Sequence, residues 1–286
     1  MAPFRSIGVV HHGLVKEAGE LASALANKYS DGRTWCLATQ DTLDETSEQL
    51  AQSDLIITIG GDGTILRGAH EAAELGIPVL GINMGRVGFM SDLEAKDALE
   101  SVDWYLQGNA RTETRAMLSA SVSGHESSFS ALNDVTVARG AVLRVIDVRT
   151  VVDGVHLATY RGDGVVVSSA TGSTGYSLSL GGPVMDPESK GFIVKPIATH
   201  MSQFGGVILQ PTSKVELTTL TEEEATVNID GFVDISLDPG DTVTVTQEGK
   251  HALFLRRKSP AEFWGELSRR LGLRKGSLKN SRRSRQ

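Results

Sequence analysis

One cysteine, Cys36, in 286 residues excludes an internal disulfide and fits a reducing, cytoplasmic compartment. Within Trp35-Cys36-Leu37-Ala38 it reads as a buried, inert thiol. No apolar run approaches the length of a membrane span, and Met1-Ala2-Pro3-Phe4-Arg5 lacks the apolar core of a signal peptide. Neither a membrane nor a secretory route is therefore expected. Aromatic residues make up only 5% of the chain, so one that stands in a polar, glycine-rich stretch is informative. There is no low-complexity linker and no internal repeat. The most conspicuous glycine loop lacks the Gly-Lys-Ser/Thr that would make it a Walker A loop.

What is present is a water-soluble globular balance, 40% hydrophobic and 22% charged, in a chain long enough for one large or two ordinary domains. The net charge of −7 is unevenly spread. Residues 256–286 hold eleven Lys/Arg against Glu262 and Glu266. The rest is strongly acidic, which argues against nucleic-acid binding. The last stretch, 274–286, reads as a disordered basic tail. Before it, a short helix from Pro260 to Leu271 is expected to dock on the body through Phe263, Trp264, Leu267 and Leu271. Glycine is the residue in excess, with 31, and it clusters in a few stretches.

Along the first third, strand-like and helical segments alternate. Ser6 to Val10, Trp35 to Ala38, Asp54 to Ile59 and Pro78 to Ile82 read as strands. Val15 to Tyr29, Leu43 to Ala51, Ile65 to Leu75 and Ser91 to Gln107 read as helices, the last started by Ser91 or Asp92. This alternation predicts a doubly wound α/β domain over 1–110, with ligands beyond the carboxyl ends of its strands. From Arg115 to Arg256 the text becomes strand-like: 117–122, 128–137, 143–152, 214–220, 225–229, 242–246 and 251–255. Asp153-Gly154 and Asp230-Gly231 mark hairpin turns. An all-β sandwich domain is expected over 111–256, followed by the helix and tail of 257–286.

Four stretches carry the chemistry. Gly60-Gly61-Asp62-Gly63-Thr64 links a strand to a helix, where glycines admit an anion to the backbone N–H groups. Asp62 among those donors needs a task, a metal or a proton, unless it simply caps the helix. Gly81-Ile82-Asn83-Met84-Gly85-Arg86-Val87-Gly88-Phe89 is a second glycine turn at a strand end. Asn133-Asp134 places an amide and a carboxylate together in a strand-like run, and a nucleoside supplies partners for both. Arg161 to Ser179 runs from a buried strand into hydroxyls and glycines around one aromatic, Tyr176, suited to a base or a ribose. His11-His12 has no third ligand at metal-binding spacing and reads as a solvated pair.

Taken in order and spacing, the motifs at 60–64, 81–89, 133–134, 171–179 and 230–231 resemble the signature of the NAD kinase family over roughly residues 5–272. The resemblance implies transfer of the ATP γ-phosphoryl to the 2′-hydroxyl of the adenosine ribose of NAD, by an α/β domain and a β-sandwich assembled as a homodimer or homotetramer. Carried over, Asp62 is the catalytic residue. Gly60, Gly61, Gly63 and Thr64 hold the ATP phosphates, with Mg²⁺ carried by ATP and no direct protein ligand. Asp62, Gly63, Asn133, Asp134, Arg161, Asp163, Thr174, Gly175, Tyr176, Ser179 and His200 line the NAD site. The chain departs from the family at Ala170, where proline is common, at Gly175, where alanine is, and at Phe232, where glutamine is frequent. A lipid kinase sharing only the glycine loop leaves Thr171 to Ser179 without a purpose. A dinucleotide sensor without activity leaves Asp62 without one. The sequence leaves open polyphosphate as a donor and the choice between NAD and NADH.

Overall fold

The computed structural model describes residues 3–85, 88–140, 144–199, 205–247 and 249–272. His200 and the basic tail lie outside the described residues. In chain order the elements are β1 (Ser6–His11), α1 (Lys16–Lys28), β2 (Thr34–Thr39), α2 (Leu43–Leu50), β3 (Leu55–Gly60), α3 (Asp62–Leu75), β4 (Pro78–Asn83), β5 (Leu93–Glu94) and α4 (Ala95–Leu106). Strands then dominate: β6 (Arg111–Ala116), β7 (Leu118–Val122), β8 (Ser128–Ala131), β9 (Asp134–Arg139), β10 (Ile146–Val152), β11 (Val155–Gly162) and β12 (Gly164–Ser168). After the short α5 (Tyr176–Ser179) come β13 (Phe192–Ile197), β14 (Val207–Leu209), β15 (Val215–Thr219), β16 (Ala225–Ile229), β17 (Val233–Leu237), β18 (Thr242–Thr246), β19 (His251–Arg256) and α6 (Glu262–Arg270).

The first sheet has the order β2-β1-β3-β4-β19-β6, with β1 to β4 and β19 parallel and β6 antiparallel at its edge. Every residue of β3 is buried, the near-continuous apolar run that a central parallel strand covered on both faces requires. Ala18, Leu21, Ala22 and Leu25 recur at helical spacing on α1 and pack with Ala98, Val102, Tyr105 and Leu106 of α4 on one face. Leu50 of α2 and Ile65, Leu66, Ala69 and Ala72 of α3 cover the other. α3 stops at Gly76, whose φ of +67° gives the left-handed cap that glycine adopts without strain.

Two six-stranded antiparallel sheets form the rest, in the orders β11-β10-β15-β18-β7-β8 and β14-β13-β12-β9-β16-β17. They face one another across a core that includes Leu118, Val148, Val165, Val167, Leu217, Val227 and Val243. The strands of the core alternate inward and outward, as in β18, where Val243 and Val245 are buried between less buried threonines. At both expected hairpins, Asp153-Gly154 and Asp230-Gly231, the two turn residues have positive φ, the geometry that tightly joined strands favour.

Several elements differ from the sequence expectation. The run 128–137 is two strands, β8 and β9, in different sheets, because the amides of Leu132 and Asn133 bond the Asp230 carboxylate. β19 belongs to the first sheet, between β4 and β6, so 111–116 and 251–256 lie there rather than in the sandwich. Its Ala252, Phe254 and Leu255 complete the cores on either side of that sheet. α4 begins at Ala95, after Leu93 and Glu94 pair with β4. Asp92 does not cap it, since its carboxylate accepts from the Tyr105 hydroxyl (2.5 Å) and the Arg257 amide (2.8 Å). On α6, Leu267 is buried and Phe263 meets the Phe89 ring at 5.9 Å, while Trp264 remains 48% exposed and Leu271 41%. The terminal helix therefore docks through half of the face expected of it. Among the described residues no helix is long and apolar enough to cross a membrane.

Candidate active site

β3 and β4 end side by side, with Gly60 opposite Asn83 and the Met84 amide donating to the Gly60 carbonyl (3.1 Å). Beyond them the chain turns into α3 at Gly61, which occupies the cap position with no side-chain cap bond. Asp62 is thus in the first helical turn and is not the cap. A Cβ at Gly61 or Gly63 would meet nothing within 4 Å, so this mouth is open to a ligand. Gly60 is different: a Cβ there would collide with Thr64. Thr64 is buried and gives its hydroxyl to the Gln40 side chain (2.7 Å), so it ties the loop to the end of β2. Asn83 is also buried, and its carboxamide oxygen accepts from the Gly85 amide (2.6 Å).

The Asp62 carboxylate crosses from α3 to the second glycine turn, where the Phe89 amide donates to it. Burial pushes its pKa above the ordinary 3.8, against the pull of Arg270, Arg115, that amide and Arg256. Gly88 makes room for it, because a Cβ at position 88 would stand 1.5 Å from Asp62 Oδ1. Gly88→Ala is therefore expected to leave the sheet intact yet displace the carboxylate, lowering turnover by about 10²-fold or more. Steady-state kinetics with a melting curve on that variant checks this.

A second cluster forms where β9 and β12 pair. Asp230, at the turn after β16, sends its fully buried carboxylate to the amides of Leu132 (2.6 Å), Asn133 (2.8 Å) and Asp134 (2.8 Å), and to His70 Nε2 of α3 (2.5 Å). Ser169 holds the same segment from the other side, donating to the Leu132 carbonyl (2.5 Å) and accepting from the Gly172 amide (3.1 Å). Gly172 lies so close to Asn133 that a Cβ would sit 2.1 Å from its carbonyl oxygen. Together these fix a pocket of about 400 Å³ lined by Asn133, Asp134, Thr136, Tyr176, Asn228, Asp230 and Gly231. Tyr176 stands at its rim, 44% exposed. Its hydroxyl pKa is raised by burial and by the charges of Asp134 and Asp163.

The glycine loop with its one carboxylate and the pocket lined by Asn133, Asp134 and Tyr176 are the two parts of the candidate site. Residues 10–110 match the ATP-NAD kinase N-terminal domain and residues 132–257 the ATP-NAD kinase C-terminal domain. The chain belongs to the NAD kinase family. The NAD kinase of Dehalococcoides mccartyi (strain BAV1) is 38% identical over 274 residues, covering 94% of this chain and 96% of that protein. That of Heliobacterium modesticaldum is 40% identical over 205 residues, 70% of this chain and 72% of its own. Among solved structures, an NAD kinase from Archaeoglobus fulgidus in complex with ATP superposes with a TM-score of 0.75 at 27% identity, covering 92% of this chain and 98% of that one. Yeast NADH kinase complexed with NADH reaches a TM-score of 0.82 at 22% identity, covering 98% and 91%, a likeness of fold.

Against this NAD kinase frame, the motif residues divide. Asn133, Asp134 and Tyr176 share one pocket, and Thr174, Gly175 and Ser179 flank Tyr176 on the turn that carries it. Asp163 sits at the start of β12, paired with Arg139 (3.0 Å). Arg161 does not line the pocket; it is exposed on the edge strand β11 and pairs with Asp147 (3.2 Å). Ser168, Ser169 and Ser173 spend their hydroxyls on backbone carbonyls, so much of the hydroxyl cluster is scaffold. Thr171 and Ser177 keep buried hydroxyl oxygens without a hydrogen-bond partner among the described residues. His70, Gly88, Phe89 and Arg270 were not assigned from the sequence. Gly88 and Phe89 fall within the 81–89 motif without a role of their own, and His70 is marked as a polar residue four after Leu66 and next to Ala69 on the buried side of α3.

Asp134 is the titrating group of the pocket. Burial, then the neighbouring Asp230 charge, raises its pKa from 3.8 to about 6, against the Thr136 hydroxyl that donates to it (3.1 Å). The fold therefore favours the protonated form. That contribution is fully present below pH 3.8 and is lost as pH rises through about 6. A shift of this size corresponds to about 3 kcal/mol. Asp134→Asn is expected to melt about 5 °C above the native protein at pH 8 and level with it at pH 4. Melting curves at the two pH values decide it.

Proposed function

We propose that the protein moves the γ-phosphoryl group of ATP onto the 2′-hydroxyl of the adenosine ribose of NAD, with Asp62 as proton acceptor. The observation that carries this reading is the Asp62 carboxylate, set beyond β3 in the open mouth of the glycine loop and held by the Phe89 amide over Gly88. A sugar hydroxyl is a weak nucleophile, so transfer needs alignment, a proton acceptor and neutralised phosphates. The raised pKa makes Asp62 a stronger base than an ordinary aspartate. Gly61 and Gly63 leave backbone N–H groups at the start of α3 for the ATP phosphates. Asn133, Asp134 and Tyr176 supply donors, acceptors and a ring for the dinucleotide, with Thr174, Gly175 and Ser179 next to Tyr176 on its turn.

Among the described residues no three acidic, histidine or cysteine side chains gather to cage a metal. A loop of open backbone amides with no lysine fits a Mg²⁺ that would arrive on the ATP phosphates, with no direct protein ligand assigned. Bound there, the ion neutralises the charge that the loop, lacking a Walker lysine, leaves uncovered. We further infer that the half built on the parallel sheet handles phosphates and the sandwich handles NAD, in a homodimer or homotetramer working in the cytoplasm.

NADP formation from NAD and ATP is expected to depend on a divalent metal. The test is an NADP-specific readout with Mg²⁺ and with excess chelator. Full activity in chelator would remove the ion from the reading.

A further inference from the structure

The turn between β16 and β17 separates two cavities. Asn228, Asp230 and Gly231 line the pocket that also holds Asn133, Asp134 and Tyr176. Ile229, Phe232 and Val233 line a second cavity of about 560 Å³, with Arg67 and His70 of α3 on its other side. The turn itself is stiff. Asp230 and Gly231 have φ of +51° and +76°, and the Gly231 amide donates to the Asn228 side chain (2.8 Å).

His70 crosses from α3 to that turn. Its Nε2 lies 2.5 Å from Asp230 Oδ2, the oxygen that also accepts from the Leu132 amide (2.6 Å), while Oδ1 accepts from the amides of Asn133 and Asp134. A carboxylate only accepts, so Nε2 donates and is the fourth donor on Asp230. The His70 ring is seated edge-on against Phe232, with centroids 5.9 Å apart. The Arg67 guanidinium, one turn earlier on α3, lies 4.5 Å from the centre of the same ring. Phe232, a departure from the family pattern, therefore gives two side chains of α3 a common platform. The space beside the contact is open, so close packing does not back it on that side.

We propose that His70 is a positioning residue for the NAD site: through Asp230 Oδ2 it fixes the amides of 132–134, and it ties that segment to the helix whose first turn faces the ATP phosphates. The strut stands about two turns along α3 from Asp62. Without the imidazole, Oδ2 keeps the Leu132 amide and loses the bond that sets it against α3. Asn133 and Asp134 then present their side chains in more than one arrangement. That costs affinity for NAD and leaves the glycine loop and Asp62 in place. The inference rests on the pocket of Asn133, Asp134 and Tyr176 being the NAD site.

The test is steady-state kinetics, with NAD and ATP varied in turn, on His70→Leu and His70→Gln, with Asn133→Ala as control. His70→Leu fills much of the same volume without a donor. It is expected to raise the KM for NAD about tenfold or more, while kcat and the KM for ATP change by less than about threefold. His70→Gln carries an N–H group near the position of Nε2 and is expected to recover most of the loss. A contact that only stabilises the fold would lower the melting temperature without separating the two substrates. An unchanged KM for NAD, or equal changes in both KM values, therefore overturns the proposal, as does a glutamine variant as impaired as the leucine one. Should His70→Leu not fold, His70→Asn serves instead, because its amide stays polar but falls short of Asp230. The same contrast between NAD and ATP is expected there, and its absence overturns the proposal equally. If Asn133→Ala keeps the native KM for NAD, the NAD-site reading fails and the proposal with it. If it raises that KM while the His70 variants do not, only the role of His70 fails.

Discussion

Replacing Asp62 by asparagine is expected to lower turnover by about 10²–10⁴-fold while NAD affinity changes far less. The carboxamide keeps the size of the side chain and an oxygen for the Phe89 amide, so the second glycine turn stays in place. Asparagine removes only the basic group. Asn133, Asp134 and Tyr176 belong to the other cluster and are untouched. A capping role for Asp62 would instead predict a stability loss of about 1 kcal/mol with turnover nearly intact. Gly61 holds the cap position, so the melting temperature is expected to stay close to native. Turnover, NAD affinity and melting temperature measured on one preparation separate the two outcomes. Near-normal turnover with a lowered melting point would make the carboxylate structural.

Asp230→Ala is expected to give the largest stability loss. Its carboxylate is the acceptor for three successive amides, two of them in buried bonds, and the partner of His70. Each amide left without an acceptor costs about 1–3 kcal/mol, less where water enters. The residue also has φ of +51°, which alanine adopts less readily than aspartate. A loss of about 3–6 kcal/mol follows, or about 5–10 °C in melting temperature for a chain of this length. Relief of the like charge beside Asp134 offsets only part of it. Asp230→Asn keeps one acceptor oxygen and should fall between. NAD binding should weaken in both, because the amides that Asp230 clasps carry Asn133 and Asp134. A drop below about 2 °C in Asp230→Ala would show that the segment is held by something else.

Much of the fold was legible because burial leaves a period. The central strand is buried throughout and apolar but for Thr58, α1 repeats its apolar residues every three or four, and the sandwich strands alternate. The misread places are those where a side chain overrides the backbone pattern. Asp230 takes the amides that would have continued one strand through 128–137, and Asp92 is occupied by Tyr105 and Arg257 rather than by a helix start. The exposed edge strand β11 has little alternation to read, with Val155 and Leu157 both facing water. β19 reads correctly as a strand, but nothing local states which sheet it joins; that depends on pairing with residues more than a hundred positions away.

The site shows the same division. Glycines and Asp62 announce themselves by motif, whereas their supports do not. Gly88 matters because of where Asp62 points, and His70 because α3 brings its ring to Asp230. Both relations are tertiary. Thr64 and the serines at 168, 169 and 173 are the converse: polar residues inside a motif that bond the scaffold. Hydroxyl content alone does not separate a ligand from a brace.

The most direct measurement follows the phosphoryl group itself. The full-length protein would be incubated with NAD, Mg²⁺ and ATP labelled in its γ-phosphoryl group, and the product examined by phosphorus NMR. Label on the 2′-oxygen of the adenosine ribose, formed at the rate at which ADP appears, is the expected result. Label recovered only as free phosphate, or no ADP at all, would contradict the account.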